Sequence, residues 1–487
     1  MTSVRKAMGM SLAERYVSIG LTLVSFVVIA RLLTPTEIGL FSIASALVGL
    51  AHVIRDFGVG SYLVQEIELT RQRVNTAFTM TAGLGAMLFI ASFAAAPWIA
   101  AFYAEPRLVD LLRVLAINFL LIPIGSVSLA LLHRELRFGA LFIVNITAVV
   151  VGFGVTMALA LSGHSYMSLA WGAVAGTATT AATAWCLRPS GTSLRPGLRD
   201  WQRVLRYGGQ LTAAGMVTEL SLNISDLVIG RVMGPMAVAL ASRAQGLMNM
   251  MNRDFLGAVS GVMFAAFART RREGGDLEAS YQRSVAFISV LVWPFYGFVA
   301  LFPQETLRLL LGRQWDAAAP LVPIFCLAGA VAVFWKMVPA LLQATGRADL
   351  LMRADFIIHP SCIAIVVATV TTFRSLEAFA YAILSVYVFM VPVFNAARRQ
   401  VLGAASPLWS AALSKSLAAA AAALVPATLL AIAAQAGWYA EQPQLVFWAA
   451  VGATCACWPV AVLAVRHPLA DDPVFVRARQ ALGAGKA

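Results

Sequence analysis

Val28-Ile29-Ala30-Arg31-Leu32-Leu33-Thr34-Pro35 returns two hundred residues later as Val228-Ile229-Gly230-Arg231-Val232-Met233-Gly234-Pro235. The register carries on to Leu40/Leu240 and Ser42/Ser242, so that six of fifteen positions are identical. Arg55-Asp56-Phe57 then meets Arg253-Asp254-Phe255, two residues out of step, as one short indel leaves it. Each copy reads as an apolar helix, an arginine near its end, a tight turn carrying a proline and a second apolar helix. An arginine at a helix C-terminus faces the partial negative charge of the last carbonyls, and a proline at a helix start gives up an N–H that has no partner there. Arg31, Pro35, Arg231 and Pro235 are therefore read as structural turn residues. Two such copies predict a duplicated membrane protein built as two lobes.

Working outward, 60% of the 487 residues are hydrophobic, 12% are charged and the mean hydropathy is +0.80. That balance excludes a water-soluble globular domain and predicts an all-α integral membrane protein. Apolar windows long enough to cross a hydrocarbon core of about 30 Å number about fourteen. Among them are 14–33, 38–54, 166–187, 206–232, 237–266, 284–311, 319–342 and 377–397. Helices are the economical reading, because a backbone facing lipid must satisfy its own hydrogen bonds. The first run lacks a small-x-small cleavage site and is followed at once by another apolar helix, which predicts a retained span.

The net charge of +13 is a topology signal, not a nucleic-acid one, because the basic residues sit in short loops between apolar helices. With the N-terminus inside, 24 of the 36 Lys and Arg fall on inside segments and seven on outside ends. Both termini are expected in the cytoplasm. The inside stretch 188–204 is rich in Arg, Pro, Gly and Ser and reads as a linker between a six-helix lobe over 1–187 and a second over 205–400. An even number of spans returns the chain to the side where it began, so the copies are parallel repeats. Residues 401–465 add a helix pair outside the duplication, and 466–487 form a basic cytoplasmic tail. The five cysteines lie singly or as Cys455-x-Cys457 in apolar runs, and the histidines His133, His164, His359 and His467 stand alone at loop edges. No metal site, cofactor or catalytic motif is read from them.

Ionisable groups inside a span are expensive and mark function by default. Glu219, Asn223 and Asp226 are spaced i, i+4, i+7 and share one helix face. Either they form a proton or cation relay facing a central cavity, or they form a charge network with an arginine such as Arg31 or Arg231. On the next span, Arg243 and Arg253 are ten residues apart, within about 80° of each other on an α-helix, with Asn249 between them. Together with Lys336 and Arg15 they suggest a cationic cavity for a diphosphate, since Arg grips phosphate oxygens bidentately and Lys acts as a point charge. The competing reading is snorkelling for Arg15 and Arg253 and pairing with an acid for Arg243.

Leu12-Ala13-Glu14-Arg15, Ile29 to Ser42 and Asp56-Phe57-Gly58-Val59-Gly60-Ser61-Tyr62-Leu63-Val64-Gln65 resemble the opening of bacterial polysaccharide exporters. These are the lipid-linked oligosaccharide flippases of the multidrug/oligosaccharidyl-lipid/polysaccharide export superfamily. Leu311-Gly312-Arg313-Gln314-Trp315 with Ala319-Pro320-Leu321 resembles the matching outer turn of the second lobe. The resemblance covers about residues 11–400 and rests on turn and glycine patterns that say nothing of the substrate. It implies two six-helix lobes around a central cavity, alternating access and transfer of a polyprenyl-diphosphate-linked repeat unit across the bacterial inner membrane for exopolysaccharide, O-antigen or capsule synthesis. The implied partners are the lipid-linked oligosaccharide, membrane lipids, and a polysaccharide polymerase with its chain-length machinery. A drug/cation antiporter of the same superfamily would use Glu219 and Asp226 instead. A membrane polymerase or glycosyltransferase would need a catalytic group on a sizeable external loop, and the external loops here are mostly short turns such as Thr34 to Glu37.

Overall fold

The computed structural model describes residues 17, 20–21, 24–56, 58–66, 70–189, 195–197, 201–403, 406–437 and 443–471. These residues are helical throughout, with no strand among them. The chain divides into two compact units, 1–240 and 241–487.

In the first unit, residues 24–32 are helical and lead through Leu33-Thr34 into α1 (Pro35–Asp56). The turn is fixed by a capping box: the Thr34 N–H and hydroxyl donate to Glu37 Oε2 at 2.7 and 2.8 Å, and the Glu37 N–H donates back to Thr34 Oγ1 at 3.4 Å. Ser165 donates to the other Glu37 oxygen and ties this turn to a second loop. There follow α2 (Val59–Gln65), α3 (Arg71–Tyr103), α4 (Leu108–Arg134), α5 (Phe138–Leu161), α6 (Met167–Cys186) and α7 (Trp201–Met233). In the second copy the place of Thr34 is taken by Gly234, which has no side chain to cap the helix. Gly234 takes a left-handed conformation at φ 87° instead, and α8 (Pro235–Asn249) begins on its proline. The boundary between the two units falls inside α8.

Packing in the first unit depends on small residues, as expected where lipid tails are as apolar as the side chains and close contact must supply the attraction. Gly172 of α6 lies against Thr156 and the Gly152 carbonyl of α5, so a methyl at Gly172 would meet Thr156 Oγ1 at 1.8 Å. α1 and α7 run antiparallel along a line of such contacts: Gly39 on Pro235, Ile43 on Gly230, Gly49 on Glu219 and Val53 on Gly215.

In the second unit, α8 runs into a π-helical turn, Met250–Phe255, before α9 (Leu256–Arg272). The Tyr296 hydroxyl donates to the Met248 carbonyl at 2.9 Å, and a methyl on Gly329 would stand 2.4 Å from the Tyr296 ring. A side chain entering the carbonyl ladder is a recognised cause of helix distortion. α10 (Leu277–Leu301) stops at Phe302 and α11 (Pro303–Leu310) follows, so the expected span 284–311 is two helices, broken where Pro303 removes a donor. The expected span 319–342 is likewise divided: a 3-10 segment Arg313–Leu321, α12 (Val322–Ala332), a turn over 333–337, and α13 (Val338–Ala344). α14 (Ala348–Phe373), α15 (Leu376–Leu402), α16 (Ala411–Gln435) and α17 (Pro443–Ala464) complete the chain. The last two pack on α10 through Phe302, Ala427, Ala431, Val446, Phe447 and Ala450. Trp458 Nε1 also donates to the Val290 carbonyl at 2.8 Å.

Ten described helical segments are long and apolar enough to span a membrane, so the sequence count of about fourteen is approximate. α6, α7 and the α8–α9 run are not among the ten. α7 carries Glu219 and Asp226, and the α8–α9 run carries Arg243 and Arg253.

Candidate functional site

In the first unit, Glu219, Asn223 and Asp226 are all half-buried on α7. The Asn223 amide donates to the Glu219 carbonyl and to Glu219 Oε1, both at 2.9 Å. Gly49 makes room for this pair: a methyl there would lie 3.1 Å from Glu219 Oε1. The helical spacing thus brings Glu219 and Asn223 into one hydrogen-bonded pair packed on α1, with Asp226 about two turns on. Arg31 and Arg231 are exposed at the ends of their helices, and the Arg231 guanidinium lies 4.9 Å from the centre of the Phe102 ring. Arg15 lies outside the described residues.

In the second unit, the Arg243 guanidinium lies 5.6 Å from the centre of the fully buried Trp315 ring. Asn249 closes α8 and Arg253 is exposed on the π-helical turn. The phase relation expected between Arg243 and Arg253 assumes an unbroken α-helix, and the wider turn at Met250–Phe255 removes it. Lys336 stands in the turn that interrupts α12 and α13, with its ammonium 5.6 Å from the centre of the Trp335 ring. Among the described residues no carboxylate pairs with it.

Of the residues around Lys336, Asn252 is one of the polar residues of the expected span 237–266, whereas Trp335, Tyr387 and Phe394 are not singled out by sequence. Trp335 stacks on Phe394 at 5.5 Å and meets Tyr387 edge-on at 5.7 Å. Tyr387 is hydrogen-bonded to one end of the buried Asn252 amide at 3.2 Å. The other end of that amide and the Trp335 indole N–H are buried without a hydrogen-bond partner among the described residues. A half-buried cation beside two buried polar groups without a partner among the described residues is costly unless a ligand completes it. For Trp335 the signal is its place beside a charge within an apolar run; Tyr387 and Phe394 lie on another helix and carry no such signal.

A family model described as polysaccharide biosynthesis protein matches residues 28–320. The chain is similar to the lipopolysaccharide biosynthesis protein WzxC of Escherichia coli (strain K12), 26% identical over 79% of this chain and 80% of that protein. It is also similar to the teichuronic acid biosynthesis protein TuaB of Bacillus subtilis (strain 168), 24% identical over 76% of this chain and 77% of that protein. Among solved structures, the lipid II flippase MurJ in an inward closed conformation matches 94% of this chain and 99% of its own, with a TM-score of 0.73 at 11% identity. An inward-facing MATE-family multidrug transporter matches 80% of this chain and 96% of its own, with a TM-score of 0.61 at 16% identity. At such identities the two structures establish a shared fold. The match to the family model extends over more than half of the chain, which belongs to the polysaccharide biosynthesis protein family.

Proposed function

We propose that the protein moves a polyprenyl-diphosphate-linked oligosaccharide repeat unit across the bacterial inner membrane by alternating access between two lobes, 1–187 and 205–400. A polar glycan and a diphosphate cannot cross hydrocarbon unaided, so the carrier must supply fixed charge within the membrane while the polyprenyl tail stays in lipid. The observation that carries this reading is Lys336, a cation in the turn that divides the expected span 319–342, with no acidic partner among the described residues. Interrupted spans place backbone and side-chain polar groups at transporter binding sites. Arg243, Asn249, Arg253 and Arg15 are proposed to complete a cationic path for the diphosphate. Family membership and the polysaccharide roles named for WzxC and TuaB support the substrate class.

In this reading the protein makes and breaks no covalent bond. It works between the enzymes that build the repeat unit inside and the polymerase and chain-length machinery outside, with both of its termini cytoplasmic. A drug/cation antiporter would share the fold, but it needs free acids. Glu219 is engaged by Asn223, and the charge in the turn between α12 and α13, Lys336, is positive.

The test is flipping of a fluorescent polyprenyl-diphosphate oligosaccharide in proteoliposomes. Lys336→Met, similar in length and uncharged, should fold normally and lose most of the flipping. Transport at the wild-type rate in that variant would remove the support of this reading.

A further inference from the structure

His359 lies inside a span, not at a loop edge, and an aspartate accompanies it. α14 carries Asp355 and His359 seven and eleven residues in from its start at Ala348, so the two are neighbours on one helix face. Both are half-buried, and the charge that acts on the Asp355 carboxylate is that of His359. The exposed apolar residues in the middle of α14 are Phe356, Ile357, Pro360 and Ala364. At 3.6 residues per turn Asp355 lies about 155° and His359 about 115° round the helix from the centre of that arc. The pair is turned away from lipid yet accessible, as groups lining a wetted space are. Ionisable groups so placed mark ion or proton paths. Among the described residues no third carboxylate, imidazole or thiol completes a metal site with them, which leaves a proton as the guest.

α14 packs on α13 and α15. α13 brings no charged group. On α15, Arg398 is fastened to the Asn395 side chain and two carbonyls, Arg399 is exposed, and Glu377 and Tyr381 belong to the opposite end. Tyr387 stands nearest the pair in height: it interacts with Cys362, one turn beyond His359, and its ring meets Trp335 beside Lys336. On α14 itself, Arg353 is exposed on the lipid-facing side and Asp349 pairs with Arg347.

We propose that Asp355 and His359 take up one proton, from cytoplasmic water onto the His359 ring, as the anionic substrate enters, and so couple transport to pH. This rests on the transport reading above. With His359 neutral the pair carries one negative charge, which repels a diphosphate at Lys336. With the imidazole protonated the pair is neutral overall. Proton and diphosphate therefore favour each other's binding, and the effect is reciprocal.

The experiment measures flipping of the fluorescent polyprenyl-diphosphate oligosaccharide in proteoliposomes held at the same pH inside and out, from pH 8 to 5.5, together with the Tm. Wild-type flipping should rise several-fold as the pH falls through the histidine range. Asp355→Asn removes the negative charge and should already be fast at pH 8. His359→Gln keeps that charge and cannot take the proton, so it should be slow and independent of pH. A structural pair does not give opposite effects for two such substitutions at unchanged Tm. A wild-type pH profile in either variant, a wild type indifferent to pH, or slow flipping with a lowered Tm in both variants overturns the coupling site and leaves transport standing. A wild type that flips nothing at any pH removes the transport reading and this proposal with it.

Discussion

Gly39 lies so close to Pro235 that a methyl group on its α-carbon would stand 1.8 Å from the Pro235 carbonyl oxygen. Backbone cannot rotate away as a side chain can, so α1 and the start of α8 must separate to admit even alanine. The two members of this contact come from the two copies of the repeated turn, Pro35 onward and Pro235 onward.

The first prediction follows from that contact. Gly39→Ala should fold but lose the close approach, at a cost of about 1 to 3 kcal/mol for overpacking. In a carrier that opens and closes at these turns, the cost falls on the closed state alone. Single cysteines at Thr34 or Gly234 should react several-fold faster with a water-soluble maleimide in the Gly39→Ala background. Unchanged labelling with an unchanged Tm would mean that the contact is not used in closing.

Arg398 supplies a second prediction. It is almost fully buried at the end of α15. It donates to the Pro407 carbonyl at 2.9 Å, to Asn395 Oδ1 at 2.9 Å and to the Ser406 carbonyl at 3.0 Å, and it lies 5.5 Å from the centre of the Tyr281 ring. Gln282 donates to the same Pro407 carbonyl at 2.8 Å. The guanidinium therefore fastens the segment leading into the last helix pair. Arg398→Ala takes its donor from the Ser406 carbonyl and leaves the Pro407 carbonyl to Gln282 alone, and should cost about 1 to 3 kcal/mol. Arg398→Lys, with charge but no fork, should recover only part of it. Tm and protease cleavage near 403–410 measure both, and a Tm loss below one degree for the alanine variant refutes the fastening role.

The third prediction concerns pH. His467 follows α17 and is fully buried. The Leu469 N–H points at its Nδ1 at 3.1 Å, so Nε2 carries the proton and donates to Ser416 Oγ at 2.9 Å. Ser416 Oγ in turn lies 3.1 Å from the Ala286 carbonyl of α10. Burial first, and the Lys415 charge second, push the His467 value down from 6.5 to about 4. The unfolded chain takes up this proton near pH 6.5 and the folded chain does not. The contribution to stability is thus complete above about pH 6.5 and is lost as pH falls toward 4. The difference in Tm between the wild type and His467→Gln should be flat from pH 8 to 6.5 and shrink below it. A difference constant down to pH 4 would show that His467 does not titrate in that range.

How much of this was legible beforehand depends on the kind of residue. Helix ends followed from apolar run lengths, as 377–397 against α15 at Leu376–Leu402 illustrates. The interruptions at 250–255 and 333–337 did not, because neither stretch holds a proline or glycine to mark a break and their causes lie elsewhere, as with Tyr296 reaching the Met248 carbonyl beside Gly329. Lys336 is conspicuous as a charge among hydrophobes, whereas Trp335 and Tyr387 resemble ordinary core. His467 was read as standing alone at a loop edge, yet it is bonded to Ser416, a partner 51 residues away that no local pattern reveals.

The last prediction separates the two readings of the α7 carboxylates. Glu219 accepts from the Asn223 amide at 2.9 Å, a bond that a neutral glutamine can also accept through its carbonyl oxygen. Glu219→Gln should therefore keep both stability and transport. Asp226 shares the same face two turns on, and Asp226→Asn should still bind the lipid-linked substrate but no longer respond to an imposed proton or sodium gradient. Were Asp226 only the partner of a buried arginine, its removal would strand that charge and cost stability at the level of a broken buried pair, about 3 to 5 kcal/mol. Thermal stability and gradient-driven flipping, measured on the same proteoliposome preparations, distinguish the two. Arg243→Ala serves as the companion, since losing a charge-assisted phosphate grip should slow flipping under every gradient by about ten- to a hundredfold, equivalent to roughly 1.5 to 3 kcal/mol. A normal gradient response and normal Tm in Asp226→Asn would eliminate both roles for the carboxylate.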